Sequence, residues 1–202
     1  MDAGGFAAGA VARVVTDRPL ITVASRAVLR DWLADHHGQA GAIWLATYRK
    51  HHPDYLPWIA VVEELLCWGW IDAVVRKVDA DRSAHLVAPR KPGSAWSALN
   101  KSLVETAIAS GAMTPAGLAR IDAAKANGMW SFLDDVEAGV VPPDLAEALG
   151  RHRPVWDGWP RHVQRGTLEW IKMAKTQPTR ARRIANVVDS AARDLRPSPF
   201  RR

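Results

Sequence analysis

The chain has 202 residues, with a hydrophobic fraction of 48% and a charged fraction of 24%, which supports a substantial core and excludes global disorder. Its net charge of +6 permits binding to nucleic acid or to an anionic surface but does not by itself indicate either. The single cysteine excludes an internal disulfide and is typical of the reducing cytoplasm, and no apolar run is long enough to span a bilayer. We therefore expect a cytoplasmic protein without a transmembrane segment.

The first half of the chain alternates between patterns typical of strands and of helices. Ahead of them, residues 1–18 form a loose leader that is rich in alanine and glycine. The predicted elements are a strand at 20–25, a helix at 26–37, a strand at 42–50 and a helix at 58–68. Ser25 caps the first helix, Pro57 opens the second and Gly69 ends it. The second helix is apolar nearly all round, which indicates that it is buried.

The rest of the chain begins with a predicted β-hairpin and is then helical. The hairpin joins strands at 70–78 and 84–89, and the helices lie near 95–109, 116–126, 142–150, 159–176 and 178–195. We expect an α+β fold, mostly helical, in which a small antiparallel sheet with a β-hairpin is packed by helices. After the leader, this predicts an α+β core over residues 19–140 and a C-terminal helical region over residues 141–202 packed on that core.

Glu63 and Glu64 are the only charged residues in the apolar helix at 58–68. The helical neighbours of Glu64 include Cys67 and Trp68, so its carboxylate is expected to be partly desolvated unless it meets water or a cationic partner. Desolvation raises the pKa of a carboxyl group, which suits a general acid or base. Glu64 is therefore a candidate catalytic residue, and the alternative is that both glutamates lie on a narrow solvated stripe.

The strand that begins at Trp70 has two unlike faces if its side chains alternate. One face would carry Trp70, Asp72, Val74 and Arg76, and the other Ile71, Ala73, Val75 and Lys77. The second set is predicted to be core as far as Lys77. The first set combines an indole, a carboxylate and a guanidinium, so it is either a wet sheet surface or one side of a pocket. Trp70 is a candidate for ligand binding and Asp72 for catalysis.

The segment PRKPGSAWSALN at residues 89–100 places two cations just ahead of a predicted helix start. Ser94 is the predicted cap, and the free amides of a helix start favour an anion that the two cations would also bind. Asn100 lies on an apolar face, where its amide needs a partner. The candidate ligand-binding residues are Arg90, Lys91, Ser94, Trp96 and Asn100. The alternative is a turn, a capped helix and a satisfied core amide.

Motifs for metals and cofactors are absent from the sequence. The adjacent histidines at 36–37 and 51–52 do not face one point, and no HExxH or CxxC motif occurs. No histidine lies at a spacing from Cys67 that would indicate a catalytic Cys/His pair, so Cys67 is expected to be a small core residue. The sequence also has no Walker loop, GxGxxG or GxSxG motif. We therefore expect neither a metal nor a cofactor.

Five segments follow one another in an order typical of one bacterial family. They are SRAVLRDWLADHH, ELLCWGWID, PRKPGSAWSALN, GAMTPAGLARIDAAK and WIKMAKTQPTRARRI. With these segments the chain resembles the YdeI/OmpD-associated family, also called bacteriocin-protection proteins. The resemblance extends over about residues 19–195, and its most specific part is the block at 66–100.

The resemblance implies a soluble bacterial protein connected with tolerance of antimicrobial peptides and with envelope stress, through association with an outer-membrane porin. It implies no common catalytic mechanism. The family typically has acids at the positions of Glu63 and Glu64. It also has a cysteine at the position of Cys67, a glycine at Gly69 and the run Trp-Ile-Asp at residues 70–72. The chain departs from the typical pattern at Ala73, where glycine is frequent, and at Ala60, where an acid is common.

We expect the buried helix, the hairpin and the turn that follows it to converge on one pocket, because consecutive elements are usually neighbours in space. Trp70 and Trp96 would be its walls, Asp72 or Glu64 the acid/base, and the cations before the helix would hold an anionic or carbonyl group.

Two principal function classes follow from this pocket. In one, the protein is a binding factor in stress tolerance whose ligand is small or anionic. In the other, it is a cofactor-free cyclase, isomerase or hydrolase that acts by acid/base chemistry on a carbonyl-containing metabolite. Nucleic-acid binding through the RARR run at 180–183 is a less favoured third class. The sequence does not indicate the oligomeric state.

Overall fold

The structure is a computed structural model, and it describes residues 18–200. The predicted leader therefore lies outside the described residues, except for Arg18. The chain forms two compact units. Among the described residues, the first consists of residues 18–64 together with Trp70–Pro89, and the second of Leu65–Gly69 together with residues 90–200. The predicted domain division between residues 140 and 141 stays a prediction.

The described part of the first unit contains a four-stranded sheet and two helices. The elements are β1 (Leu20–Thr22), α1 (Arg26–His36), β2 (Ile43–Tyr48), α2 (Trp58–Cys67), β3 (Trp70–Lys77) and β4 (Arg82–Pro89), and the last turn of α2 belongs to the second unit. The strand order is β1-β2-β4-β3. β2, β4 and β3 pair antiparallel as predicted, but β1 pairs with β2 in parallel, so the sheet is mixed. Helix α1 is the crossover that a parallel pair requires.

The ends of both helices in this unit follow from local chemistry. The side chain of Ser25 accepts a hydrogen bond from the amide of Val28 at 3.2 Å, as expected of an N-cap. After α2, Gly69 has a φ of +71°, which favours glycine because it has no Cβ.

One face of the sheet is apolar and covered by the two helices. Ile43, Leu45, Trp70 and Val87 share this face, and each is at most 3% exposed. From α1, Trp32 packs edge to face on Trp70, with ring centroids 5.8 Å apart. From α2, an indole stacks on a histidine of β4 on the same face. This face is therefore the core of the first unit.

β3 departs from the predicted alternation because it contains a β-bulge. Ala73 and Val74 lie opposite a single residue of β4. The prediction that Ile71, Ala73 and Val75 form core is wrong: Ala73 is exposed, Val75 is 61% exposed and Ile71 is only half-buried. The fully buried residue of the strand is Trp70.

Beyond the bulge, the side chains of β3 point to the face opposite to the one predicted from simple alternation. The extra residue shifts the two-residue period, so Val75 joins the face of Trp70 and Asp72. Arg76 lies on the opposite face, with its guanidinium 4.0 Å from the centroid of the Trp44 ring. The predicted face of Trp70, Asp72 and Arg76 is thus divided between the two sides of the sheet.

The second unit is helical, which confirms the predicted helical C-terminal region. Its helices are α3 (Ala98–Ala109), α4 (Pro115–Ala126), α5 (Asp134–Glu137), α6 (Pro143–Leu149), α7 (Arg153–Asp157), α8 (Arg161–Lys172) and α9 (Gln177–Ala192). Its largest apolar cluster is built around Trp156, Leu145, Leu149, Ile171 and Val187. The four-residue α5 and five-residue α7 were not predicted, because such short helices show no hydrophobic period.

Helix α3 begins three residues later than predicted, and Ser97 is its cap. The side chain of Ser97 accepts a hydrogen bond from the amide of Asn100 at 3.2 Å. The prediction that Ser94 caps this helix is wrong. The amide of Trp96 donates to the carbonyl of Met129 at 3.3 Å, so the chain between Ser94 and Ser97 is held outside the helix.

Candidate functional site

The predicted site residues are divided between the two units. Glu64, Trp70 and Asp72 belong to the first unit, and Arg90, Lys91, Ser94, Trp96 and Asn100 to the second. Each unit brings some of them into contact with partners that the sequence did not predict. The single pocket that would combine all of them stays a prediction.

Glu64 on α2 lies in an ion-pair network with α1. Its side chain is 1% exposed, and its two carboxylate oxygens accept hydrogen bonds from Arg26 Nε at 2.7 Å and Arg30 Nη1 at 2.8 Å. Glu63 accepts from the same Arg26 at 2.9 Å. Burial alone would lower the pKa of Arg26, but the hydrogen bonds that it donates to Glu64 and Glu63 raise this pKa well above its ordinary value. The buried carboxylate of Glu64 therefore has two cationic partners, Arg26 and Arg30.

Asp72 lies beside two aromatic side chains on the covered face of the sheet. The indole Nε1 of Trp58 donates to Asp72 Oδ2 at 3.2 Å. The imidazole of His85 stacks on the Trp58 ring with centroids 3.4 Å apart, and its Nδ1 lies 3.9 Å from the same carboxylate oxygen. The cluster Trp58, Asp72 and His85, called the β3–β4 cluster below, thus combines an acid, a base and an aromatic plate.

His85 is the residue of this cluster that the sequence did not single out. Its Nδ1 is buried and makes no hydrogen bond to the described residues. Burial lowers the pKa of His85 below its ordinary value, and the nearby charge of Asp72 offsets this only in part. The neutral form of the imidazole is therefore favoured by its surroundings.

Trp70 is a core residue with its polar atom satisfied. It is 0% exposed, and its Nε1 donates to the carbonyl of His37 at 3.0 Å. Its ring packs edge to face against Trp32. Within the first unit, Trp58 rather than Trp70 contacts the polar side chain of Asp72.

Arg90 and Trp96 are in contact in the second unit. Arg90 is 2% exposed, its guanidinium lies 3.7 Å from the centroid of the Trp96 ring, and its Nη2 donates to the carbonyl of Ala95. The Trp96 ring in turn packs on Trp130 at 5.0 Å. Lys91 is exposed.

A carboxylate of the protein itself, that of Glu137, binds to the first amide of α3. The amide of Ala98 donates to Glu137 Oε1 at 3.2 Å. A hydrogen bond from Arg165 lowers the pKa of Glu137, so this group is ionised over the physiological range. The position that was predicted to attract an anionic ligand is thus next to a fixed anion. The side-chain amide of Asn100 makes no hydrogen bond within the described residues.

Two cavities lie in the second unit, and neither is lined by a predicted site residue. The larger is a groove of about 560 Å³ on α6 and α9, lined by Asp144, Ala148, Gln177, Arg180, Ala181, Ile184, Ala185, Val188 and Asp189. The smaller, of about 240 Å³, lies mainly on α8 and the segment before α6. Arg180 lines both. The sequence showed no signal for them beyond the amphipathic pattern of ordinary surface helices.

The RARR run of α9 is largely engaged within the unit. Arg180 donates from Nε and Nη2 to the two carboxylate oxygens of Asp144 at 2.7 and 2.8 Å. Arg183 donates to the carbonyl of Trp170 and lies over its ring. Arg182 is exposed. The run is therefore not the uniformly exposed basic patch that nucleic-acid binding favours.

Residues 18–200 contain no group of three or more His, Cys, Asp or Glu side chains arranged to hold a metal ion. Over the same range, none of the helices has both the length and the apolar character needed to cross a membrane.

Two family models match the chain. Residues 21–120 match a domain family of unknown function, and residues 138–194 match the family described as bacteriocin-protection, YdeI or OmpD-associated. No curated protein and no solved structure matches. The block at 66–100, expected to be the most specific part of the resemblance, lies in the segment that the first model matches. The predicted resemblance is confirmed over residues 138–194, which match the model of the bacteriocin-protection, YdeI or OmpD-associated family.

Proposed function

We propose that this protein is a binding factor that contributes to bacterial tolerance of antimicrobial peptides, and that its ligand occupies the groove on α6 and α9. One observation carries the proposal: every residue that lines the groove lies within the segment that matches the bacteriocin-protection family. The segment that matches the family is therefore also the segment that carries this concave surface. Most of the smaller cavity lies in it as well.

The composition of the groove supports a binding role. Its floor is apolar, with Ile184 buried and Ala181 and Ala185 exposed to solvent. The polar groups are few and lie at defined places, chiefly Asp144 and Arg180. A concave apolar surface with a small number of oriented polar groups is the usual form of a ligand site.

We expect Ala185→Trp to abolish the tolerance that the protein confers, because the indole fills the groove. The measurement is growth of a deletion strain in the bacterium of origin, complemented with wild-type or variant protein and exposed to antimicrobial peptides. Ala192→Trp is the matched control, since Ala192 is an exposed alanine of the same helix that does not line the groove. Both variants should unfold like the wild type. Full complementation by a folded Ala185→Trp protein, or unchanged tolerance in the deletion strain, would contradict the proposal.

The second candidate function is cofactor-free acid/base chemistry on a carbonyl-containing metabolite at the β3–β4 cluster. The observation that favours it is the buried Nδ1 of His85, which has no hydrogen-bond partner among the described residues and lies 3.9 Å from Asp72. Trp58 would wall such a site, in place of the predicted walls Trp70 and Trp96. A neutral imidazole beside a carboxylate is a common acid/base pair.

We expect Asp72→Asn to lower the pKa of His85 further, because it removes the charge that partly offsets burial. An NMR titration of the imidazoles measures this. Since the pKa of folded His85 lies below the ordinary value of 6.5, the unfolded chain binds the proton more tightly, and stability should fall as the pH drops below about 6.5. Asp81→Asn, which removes a carboxylate beside His51 instead, is the control.

The catalytic role is tested separately, on a panel of carbonyl-containing metabolites. Turnover that Asp72→Asn removes while the protein stays folded would support it. Turnover unchanged in the variant, or absent with every compound, would count against this second function.

A further inference from the structure

The groove on α6 and α9 has the dimensions of a site for a helix. From Gln177 to Asp189 it follows α9 over thirteen residues, about 18 Å at the rise of an α-helix, or somewhat more than three turns. The exposed lining includes Ala148 on α6 and Ala181 and Ala185 on α9. Small side chains of this kind allow another helix to approach closely, and apolar grooves of this form are a common mode of peptide recognition.

The charges of the groove favour a cationic occupant. Asp144 and Asp189 lie along it with side chains 48% exposed, and Arg180 is the one cation among its lining residues. The lining thus has a net charge of −1, from two carboxylates and one guanidinium, on a chain whose net charge is +6. Arg180 is already bound in bidentate fashion by Asp144. Asp189 pairs with Arg193, the residue that follows α9, in an exposed contact that is weak and easily exchanged.

We propose that the groove binds an amphipathic helix with basic residues on its polar face. Its apolar face would lie on the alanines and on Ile184 and Val188, and its Lys or Arg side chains would pair with Asp144 and Asp189. The inference rests on the proposed function and names the ligand class of the same site, since this pattern is that of membrane-active peptides of the antimicrobial type.

The test is direct binding of a synthetic helix to the full-length protein. The probe is a fluorescent 18-residue Leu/Lys peptide with helical amphipathic spacing, measured by anisotropy. The comparison peptides are a scrambled sequence of the same composition and a Leu/Glu counterpart. The Leu/Lys peptide should bind at least about tenfold more tightly than either, and more weakly as salt rises.

Variants assign the binding to the groove. Ala185→Trp should abolish it, Ala192→Trp should leave it unchanged, and Asp189→Asn should weaken it about threefold, as the loss of one exposed ion pair does. Equal binding of the scrambled peptide, tighter binding of the Leu/Glu peptide, or normal binding by Ala185→Trp would each overturn the inference.

The two proposals fail in different ways. If Ala185→Trp loses tolerance in cells while the purified wild type binds none of the peptides, the helical cationic ligand is wrong and the binding function of the groove stands. If the Leu/Lys peptide binds in the groove but Ala185→Trp retains tolerance, the ligand class is supported and the role in tolerance is not.

Discussion

Replacing Glu64 by glutamine is expected to lower the free energy of unfolding by about 3 kcal/mol, the scale on which buried ion pairs are broken. The variant keeps the volume of the side chain but removes its charge. It also places an amide N–H₂ donor against a guanidinium donor, because Arg26 and Arg30 approach different oxygens of the carboxylate. Urea denaturation followed by circular dichroism measures the change.

Glu63→Gln is the matched control for this effect. Glu63 is the preceding residue of the same helix, but it is more exposed than Glu64, and within residues 18–200 it contacts only one guanidinium, that of Arg26. Its replacement should cost about 1 kcal/mol or less. Equal decreases in the free energy of unfolding of the two variants would contradict the structure, in which Glu64 binds two guanidiniums and Glu63 binds one. A loss of activity in Glu64→Gln without a loss of stability would instead favour the predicted catalytic role.

Replacing Gly117 by alanine is expected to cost about 3 kcal/mol or to prevent folding of the second unit. In most helices this substitution is stabilising by up to about 1 kcal/mol. Here an added Cβ would overlap the carbonyl oxygen of Cys67 and would lie 2.8 Å from its carbonyl carbon and 2.5 Å from Met113 Sδ. Backbone atoms cannot rotate away as a side chain does, so the overpacking penalty outweighs the gain in helix propensity.

The close approach at Gly117 is held by Thr114. Its hydroxyl donates to the carbonyl of Cys67 at 2.6 Å, and its amide donates to the same oxygen at 3.2 Å. Gly166→Ala is the control, because Gly166 is also a helical glycine but an added Cβ would meet the far edge of the Phe200 ring at 2.7 Å, and a side chain is able to shift where a backbone carbonyl is not. We expect Gly166→Ala to change stability by about 1 kcal/mol or less. A Gly117→Ala protein as stable as the wild type would contradict the described contact.

Helix boundaries were predictable because their determinants are local. Ser25, Thr114 and Thr176 each accept a hydrogen bond from an amide three residues ahead, and Ser25 was predicted to be a cap from its place before the first helix. Ser94 failed as a cap because the competing bond, from Trp96 to Met129, joins residues 33 positions apart. No pattern within the segment contains that information.

The surroundings of the candidate residues were not predictable for the same reason. The partners of Glu64 lie 38 and 34 positions earlier, and the sequence indicated only that a buried carboxylate needs a cation. The position of Asp72 beside His85 depends on the register between β3 and β4, including the bulge. The groove on α6 and α9 depends on how two surface helices pack, and their exposed alanines are unremarkable one at a time.

The bulge in β3 has a further consequence for the behaviour of the protein at high concentration. β3 is an edge strand of the described sheet, so its outer backbone groups are available to pair with another chain. The extra residue interrupts the regular spacing of those groups, and the exposed Arg76 and Lys77 add charge just beyond it. An irregular and basic edge is a poor template for a second strand, which protects the exposed valines beside it from edge-to-edge aggregation.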